Sequence, residues 1–166
     1  MLTSTVILFG GWFVYRSYAM ENPLAQIVNR AQGVEQVKSD FSKDSVTVHL
    51  KLSQDASLRD IYRQITTDGA SIIGSRKVKL ELESDSSPEI EKWWSNALFD
   101  VAQAMETKHY ADIPKILESK SADVSGLKAA TEMDDKNVYI RLSEGGKNKY
   151  IILPRVPASM GVWPNA

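Results

Sequence analysis

The sequence predicts an α+β protein: an N-terminal transmembrane helix followed by a two-layer α/β sandwich. Three observations predict it. An uncharged run from Leu2 to Tyr15 precedes the residues that carry almost all of the charge. Short stretches alternate apolar with polar residues, as in Val46, Val48, Leu50 and Leu52 against Thr47, His49 and Lys51. Between them, from Leu58 to Ile73 and from Ile90 to Met105, apolar residues recur at steps of three and four. The order is α-β-β-α-β, then α-α-β-β-β, with helices on one face of the sheet.

The N-terminal run, residues 1–20, reads as a membrane anchor. Leu2, Val6, Ile7, Leu8, Phe9, Trp12, Phe13 and Val14 are closed by Tyr15, Arg16 and Tyr18, the aromatic and basic border of a helix meeting headgroups. As a helix, residues 2–19 would reach about 27 Å at ~1.5 Å per residue. That is slightly short of a ~30 Å hydrocarbon core, and Arg16 can snorkel across the difference. A cleaved signal peptide is the rival, but a basic leading region is absent and Ser17–Met20 matches a cleavage site poorly. Counted literally, Arg16 and the α-amino group place the following domain in the cytoplasm. An anchor that begins so close to its initiator suggests a start site set too late, with the orienting basic residues lost. The expectation is therefore a single-pass membrane protein with an extracytoplasmic domain.

A first unit, residues 22–85, follows. Asn22 and Pro23 suit a helix start, and Leu24, Ile27, Val28 and Ala31 keep helical spacing up to Gly33. Val34–Phe41 and Val46–Leu52 read as a hairpin. Ser57 caps a helix that holds one apolar stripe to Gly74, either continuous through Gly69 or broken there. Val78, Leu80 and Leu82 then alternate with Lys77, Lys79, Glu81 and Glu83, a strand with a charged outer face.

A second unit spans residues 86–155. Ser87 and Pro88 open a long helix with Glu89 and Glu91 in its first turn, where the macrodipole favours acids. Ile90, Trp93, Trp94, Ala97, Leu98, Val101, Ala102 and Met105 form its expected core stripe. A short helix is expected around Ile113–Leu117, then strands near Val124–Thr131, Val138–Leu142 and Tyr150–Leu153, the last two joined at Gly145-Gly146. Residues 156–166, with Met160, Val162 and Trp163, read as an extended tail. Shifted by 90 residues, Val34, Lys38, Asp44, Val48, Leu52 and Ser53 meet identical residues at Val124, Lys128, Asp134, Val138, Leu142 and Ser143. This raises an internal repeat, against the simpler reading that amphipathic hairpins share a pattern.

Composition narrows the function classes. The chain has 166 residues, 43% hydrophobic and 25% charged, which suits a folded domain. Twenty Lys and Arg balance 21 Asp and Glu, with no basic cluster, so nucleic acid is not an expected partner. The absence of Cys removes thiol nucleophiles, disulfides and thiolate metal sites. His49 and His109 are the only histidines and lie in no metal-binding spacing, and nucleophile-elbow, P-loop and dinucleotide patterns are missing. The acids Glu81, Glu83, Asp85, Glu89 and Glu91 fall on a strand face and a helix start, and Asp134-Asp135 in a turn. No metal, cofactor or catalytic residue is expected, and the chain reads as non-enzymatic.

What remains is interaction chemistry. Neighbours on a helix are ~100° apart, so one of Trp93 and Trp94 enters the core while the other reaches its margin as a partner anchor. The strand edges around Lys77, Lys79 and Glu81 and around Tyr150, and Trp163 in the tail, are the other candidate interaction residues. The leading expectation is a membrane-tethered interaction or assembly module at the cell envelope, held to the membrane through residues 2–19, with a protein partner or a second copy of itself. Small αββαβ modules of this layout recur in membrane-associated assembly proteins, an analogy of layout carried by no motif. The alternative is a domain binding a small ligand or cell-wall polymer in a groove lined by Trp93, Trp94, Tyr62 and Tyr110.

Overall fold

The computed structural model describes residues 22–122 and 124–155. The protein is α+β, with two three-stranded sheets and several helices. It divides between Glu83 and Ser84 into two compact units, two residues before the boundary expected from the sequence. The expected anchor at residues 1–20 and the tail at 156–166 lie outside the described residues. Among the described residues no helix is long and apolar enough to cross a membrane.

In the first unit, helix α1 (Asn22–Val28) leads into strands β1 (Val34–Phe41) and β2 (Ser45–Leu52). Gly33 makes this entry. Its φ is +88°, and a Cβ there would lie 2.6 Å from the Ala56 Cβ and 2.7 Å from its Cα, so only glycine fits. β1 and β2 pair antiparallel around the turn Ser42–Ser45, and a bulge displaces the β1 register between Val34 and Gln36. β2 is the centre strand: Val46, Val48, Leu50 and Leu52 are buried, as their alternation requires. Helix α2 (Leu58–Asp68) is capped by the Ser57 side chain, which accepts from the Asp60 N–H, and buries Leu58, Ile61 and Ile65. The stripe does break at Gly69, which separates α2 from the short α3 (Ala70–Ile73). A Cβ at Gly69 would stand 2.4 Å from the Ile65 carbonyl oxygen and 2.7 Å from Leu24. Strand β3 (Lys77–Leu82) then returns beside β2 in parallel, because the helical crossover carries the chain back along the sheet before the strand begins.

In the second unit, Pro88 and the Ser87 cap start helix α4 (Pro88–Glu106), where the Ser87 hydroxyl accepts from the Ile90 N–H at 3.1 Å. α4 buries Ile90, Trp94, Ala97, Val101 and Ala104. Two residues of the expected stripe, Leu98 and Ala102, lie outside the buried row. Leu98 is 40% exposed and Ala102 is exposed, because steps of four and three from Ile90 keep one narrow seam inward and turn these two to its flank. Lys108 adopts φ 59° at the helix end, the left-handed position that glycine commonly takes. Helix α5 (Asp112–Ser121) is longer than expected and buries Ile113 and Leu117. Strand β4 (Lys128–Met133) begins four residues later than the spacing predicts, since the Leu127 N–H turns back to the Val124 carbonyl just before it. β5 (Asn137–Glu144) and β6 (Lys147–Pro154) complete an antiparallel meander, β6 following the positive-φ pair Gly145 and Gly146. Val138, Ile140 and Leu142 of β5 meet the buried row of α4.

The two hairpins do not superpose at the 90-residue shift. Turn Ser42–Ser45 corresponds to Asp134–Asn137, a displacement of 92, so the identities at 90 fall on inequivalent positions. The third strands also differ, parallel in one sheet and antiparallel in the other.

Candidate interaction surfaces

Strand β3 is an edge strand: among the described residues it pairs only with β2. Its alternation puts Lys77, Lys79, Glu81 and Glu83 on the outer face, all exposed, and Val78, Leu80 and Leu82 on the inner face, all half-exposed. The backbone fixes which side is open. Lys77 donates its N–H to the Asp44 carbonyl at 3.0 Å and Glu83 donates to Leu50 at 2.8 Å, so the odd-numbered positions face β2. The N–H and C=O groups of Val78, Leu80 and Leu82 therefore point to the free edge.

On the outer face of the same sheet His49 lies between two carboxylates, Nε2 2.9 Å from Asp40 Oδ2 and Nδ1 3.1 Å from Glu81 Oε2. It is a cross-strand link between β1 and β3. A doubly protonated imidazole donates to both acids, and a neutral ring donates to one. Lys38 stands 3.4 Å from the other oxygen of Asp40. With side chains 39–74% exposed these contacts are screened, and each contributes about 0–1 kcal/mol. A shallow depression of about 390 Å³ beside them is lined by Gln36, Lys51, Glu81 and Glu83.

The second unit presents different chemistry. Trp94 is 8% exposed in the core, while Trp93 sits at its margin and donates Nε1–H to the Lys120 carbonyl at 3.1 Å. The ~100° offset between them separates the two rings as the helix requires, and both pack with the core. Tyr110 is half-buried, with the Arg155 guanidinium 4.6 Å above its ring. Tyr62 belongs to the first unit, whereas Trp93, Trp94 and Tyr110 belong to the second. Tyr150 is half-buried on β6, opposite Arg141. Trp163 lies outside the described residues. A polar groove of about 780 Å³ runs between α4 and α5 past Gln103, His109, Asp112 and Lys115, and the ion pair of Asp100 with Lys120 at 2.8 Å lies in its wall. Phe99, 78% exposed on α4, had no counterpart among the expected surface residues.

Two carboxylates of the second unit are held below the ordinary range. Burial pushes Asp134 up, but the Tyr139 hydroxyl at 2.6 Å, the N–H groups of Asn137 and Lys136, and the Lys136 charge together bring it down. Asp134 thereby locks the β4–β5 turn, a role its position in an acidic turn suggests only in outline. Glu91 is lowered chiefly by hydrogen bonding from Lys149, whose Nζ lies 2.7 Å away, and then by Ser86. Among the described residues no three His, Asp or Glu side chains are grouped so as to hold a metal ion.

No protein-family model and no curated protein matches this chain.

Proposed function

We propose that this protein is a membrane-tethered, non-enzymatic assembly module whose first unit binds a protein partner along the open edge of its sheet. The observation that carries the reading is β3. Among the described residues it offers backbone groups at Val78, Leu80 and Leu82 without a partner strand, a half-covered apolar row on the same residues, and exposed charge at Lys77, Lys79 and Glu81. Partner strands add to an edge of this kind through main-chain hydrogen bonds, with side chains supplying selectivity. The tether rests on the uncharged run ending at Tyr15, Arg16 and Tyr18, read as a transmembrane helix ahead of an α-β-β-α-β and an α-α-β-β-β layer pair. Only a few residues separate Tyr18 from α1, so an anchor at residues 2–19 holds the first unit beside the bilayer. Confinement to a surface raises the effective concentration towards partners on the same membrane. The proposed orientation is extracytoplasmic.

The tether is tested by expressing the full chain and extracting membranes with alkaline carbonate. Retention in the membrane pellet is expected, and release into the wash defeats the anchor. Protease added to intact cells is expected to remove the folded domain. Cleavage that requires lysis reverses the orientation.

A further inference from the structure

The outer face of β3 has a symmetry that neither composition nor burial demands. Read from Lys77 to Glu83 the chain is Lys-Val-Lys-Leu-Glu-Leu-Glu, so reversal about Leu80 exchanges each Lys with a Glu and keeps every apolar residue on an apolar one. We infer that β3 pairs with the β3 of a second copy of this chain, antiparallel and two-fold symmetric about Leu80. The inference deepens the assembly reading and rests on it, naming the partner that the open edge takes.

The register follows from the backbone. Because Val78, Leu80 and Leu82 present their N–H and C=O groups to the free edge, they must oppose the same even-numbered set of the second copy to exchange hydrogen bonds. A slip of one residue in the pairing would set the apolar row of one copy beside the charged row of the other. Two registers satisfy this near the strand centre. Symmetry about Lys79 sets that lysine against its own counterpart. Symmetry about Leu80 instead opposes Lys79 to Glu81 and Lys77 to Glu83, each twice. These charged positions are the non-hydrogen-bonded pairs, where Cα atoms approach to about 4.5 Å, opposite charges attract and like charges directly opposed destabilise. On the inner side Val78 meets Leu82, and Leu80 meets its own counterpart. The half-exposed row thereby becomes the middle of one six-stranded sheet, built from two three-stranded ones with the helices of both copies on the same side.

The other described edges do not offer this match. β1 carries the bulge between Val34 and Gln36, with α1 packed against it. β6 bears Lys147 and Lys149 and no acid, and Asp85 already bridges to Asn148 at its start. β4 has one Lys and one Glu, Lys128 and Glu132, flanking Ala130, half the charge pairing of β3.

The chain contains no Cys, which makes a single introduced thiol an unambiguous reporter. The full chain in detergent micelles, carrying Leu80→Cys, is expected to form a disulfide-linked dimer under mild oxidation, since a hydrogen-bonded antiparallel pair sets Cα atoms about 5.5 Å apart. Ala130→Cys on β4 is expected not to. The double variants Lys77→Glu/Lys79→Glu and Glu81→Lys/Glu83→Lys should each self-associate at least about tenfold more weakly than the native chain. Mixed together they should recover association, because every opposed pair is again Lys against Glu. The proposal is overturned if either variant dimerises like the native chain, if the native chain is monomeric at about 100 µM, or if Ala130→Cys links as readily as Leu80→Cys. Leu80→Cys alters no charge and decides the matter should a reversed variant lose its circular-dichroism signal. A monomer still retained in carbonate-washed membranes defeats the self-pairing alone, whereas a dimer released by the wash defeats the tether alone.

Discussion

The third strands of the two units differ in how they are secured. β6 arrives by the hairpin at Gly145 and Gly146, and its start is fastened sideways: Asn148 donates to the Asp85 carbonyl at 3.2 Å, Ser84 donates to the Asn148 carbonyl at 3.0 Å, and Lys147 and Lys149 pair with Asp85 and Glu91. β3 arrives by a helical crossover, bonds on one side to β2, and leaves its apolar row half-covered. Each unit contains a helix leading into an antiparallel hairpin, preceded in the second by a further helix. The contrast teaches that helix and hairpin segments can end in one sheet whose edge strand is fastened by its own chain and one whose edge strand, among the described residues, bonds on one side alone.

The largest expected effect sets a centre strand against the open one. Ile140→Ala removes a side chain with no exposed surface from β5 and is expected to cost about 2–5 kcal/mol. Leu80→Ala on half-exposed β3 should cost about 1 kcal/mol in the monomer, part of the side chain already being in water. Denaturant unfolding with hydrogen exchange to assign the affected unit checks both, and equal losses would erase the distinction between closed and open edges.

Gly33→Ala tests the entry to the first sheet. A methyl group 2.7 Å from the Ala56 Cα, at a φ of +88°, is expected to cost about 2–3 kcal/mol. The loss should appear in the first unit's amides, and a shift confined to the second unit contradicts the division at Glu83.

Asp134 ties acid stability to the second unit. Its folded carboxyl is held below the unfolded value of about 3.9. The sign follows from linkage: the stabilisation is complete above the unfolded value and is lost as pH falls through the folded one. Asp134→Asn should cost about 1 kcal/mol at neutral pH and flatten the acid limb of the second unit's stability curve. An unchanged limb removes Asp134 as its source.

The smallest effect lies at the fastened edge. Asp85→Ala deletes the 2.8 Å pair with Lys147 but leaves the backbone bond to Asn148, so about 0.2–1 kcal/mol is expected, shrinking as salt is raised. A loss insensitive to salt would mean that the pair is not its cause.

Local periodicity made much of the fold legible. The alternation in Val46–Leu52 and Lys77–Leu82 defines strands because successive side chains must point to opposite faces, and the caps at Ser57 and Ser87 mark helix starts by satisfying orphan N–H groups. The charge order around Leu80 is likewise present in the sequence, but its meaning depends on which side of β3 is bonded. Long-range pairing decided the rest. That β3 runs parallel to β2 while β6 runs antiparallel to β5 depends on how each crossover packs, and so does the choice of edge left open. His49 shows the same division: its place on a polar strand face is written in the alternation, whereas its position between Asp40 and Glu81 exists only once β1 and β3 are laid on either side of it. Sequence patterns determine which face of an element seeks burial, because that depends on neighbours a few residues away. Which element buries it is decided by contacts tens of residues apart, and only the tertiary structure supplies those.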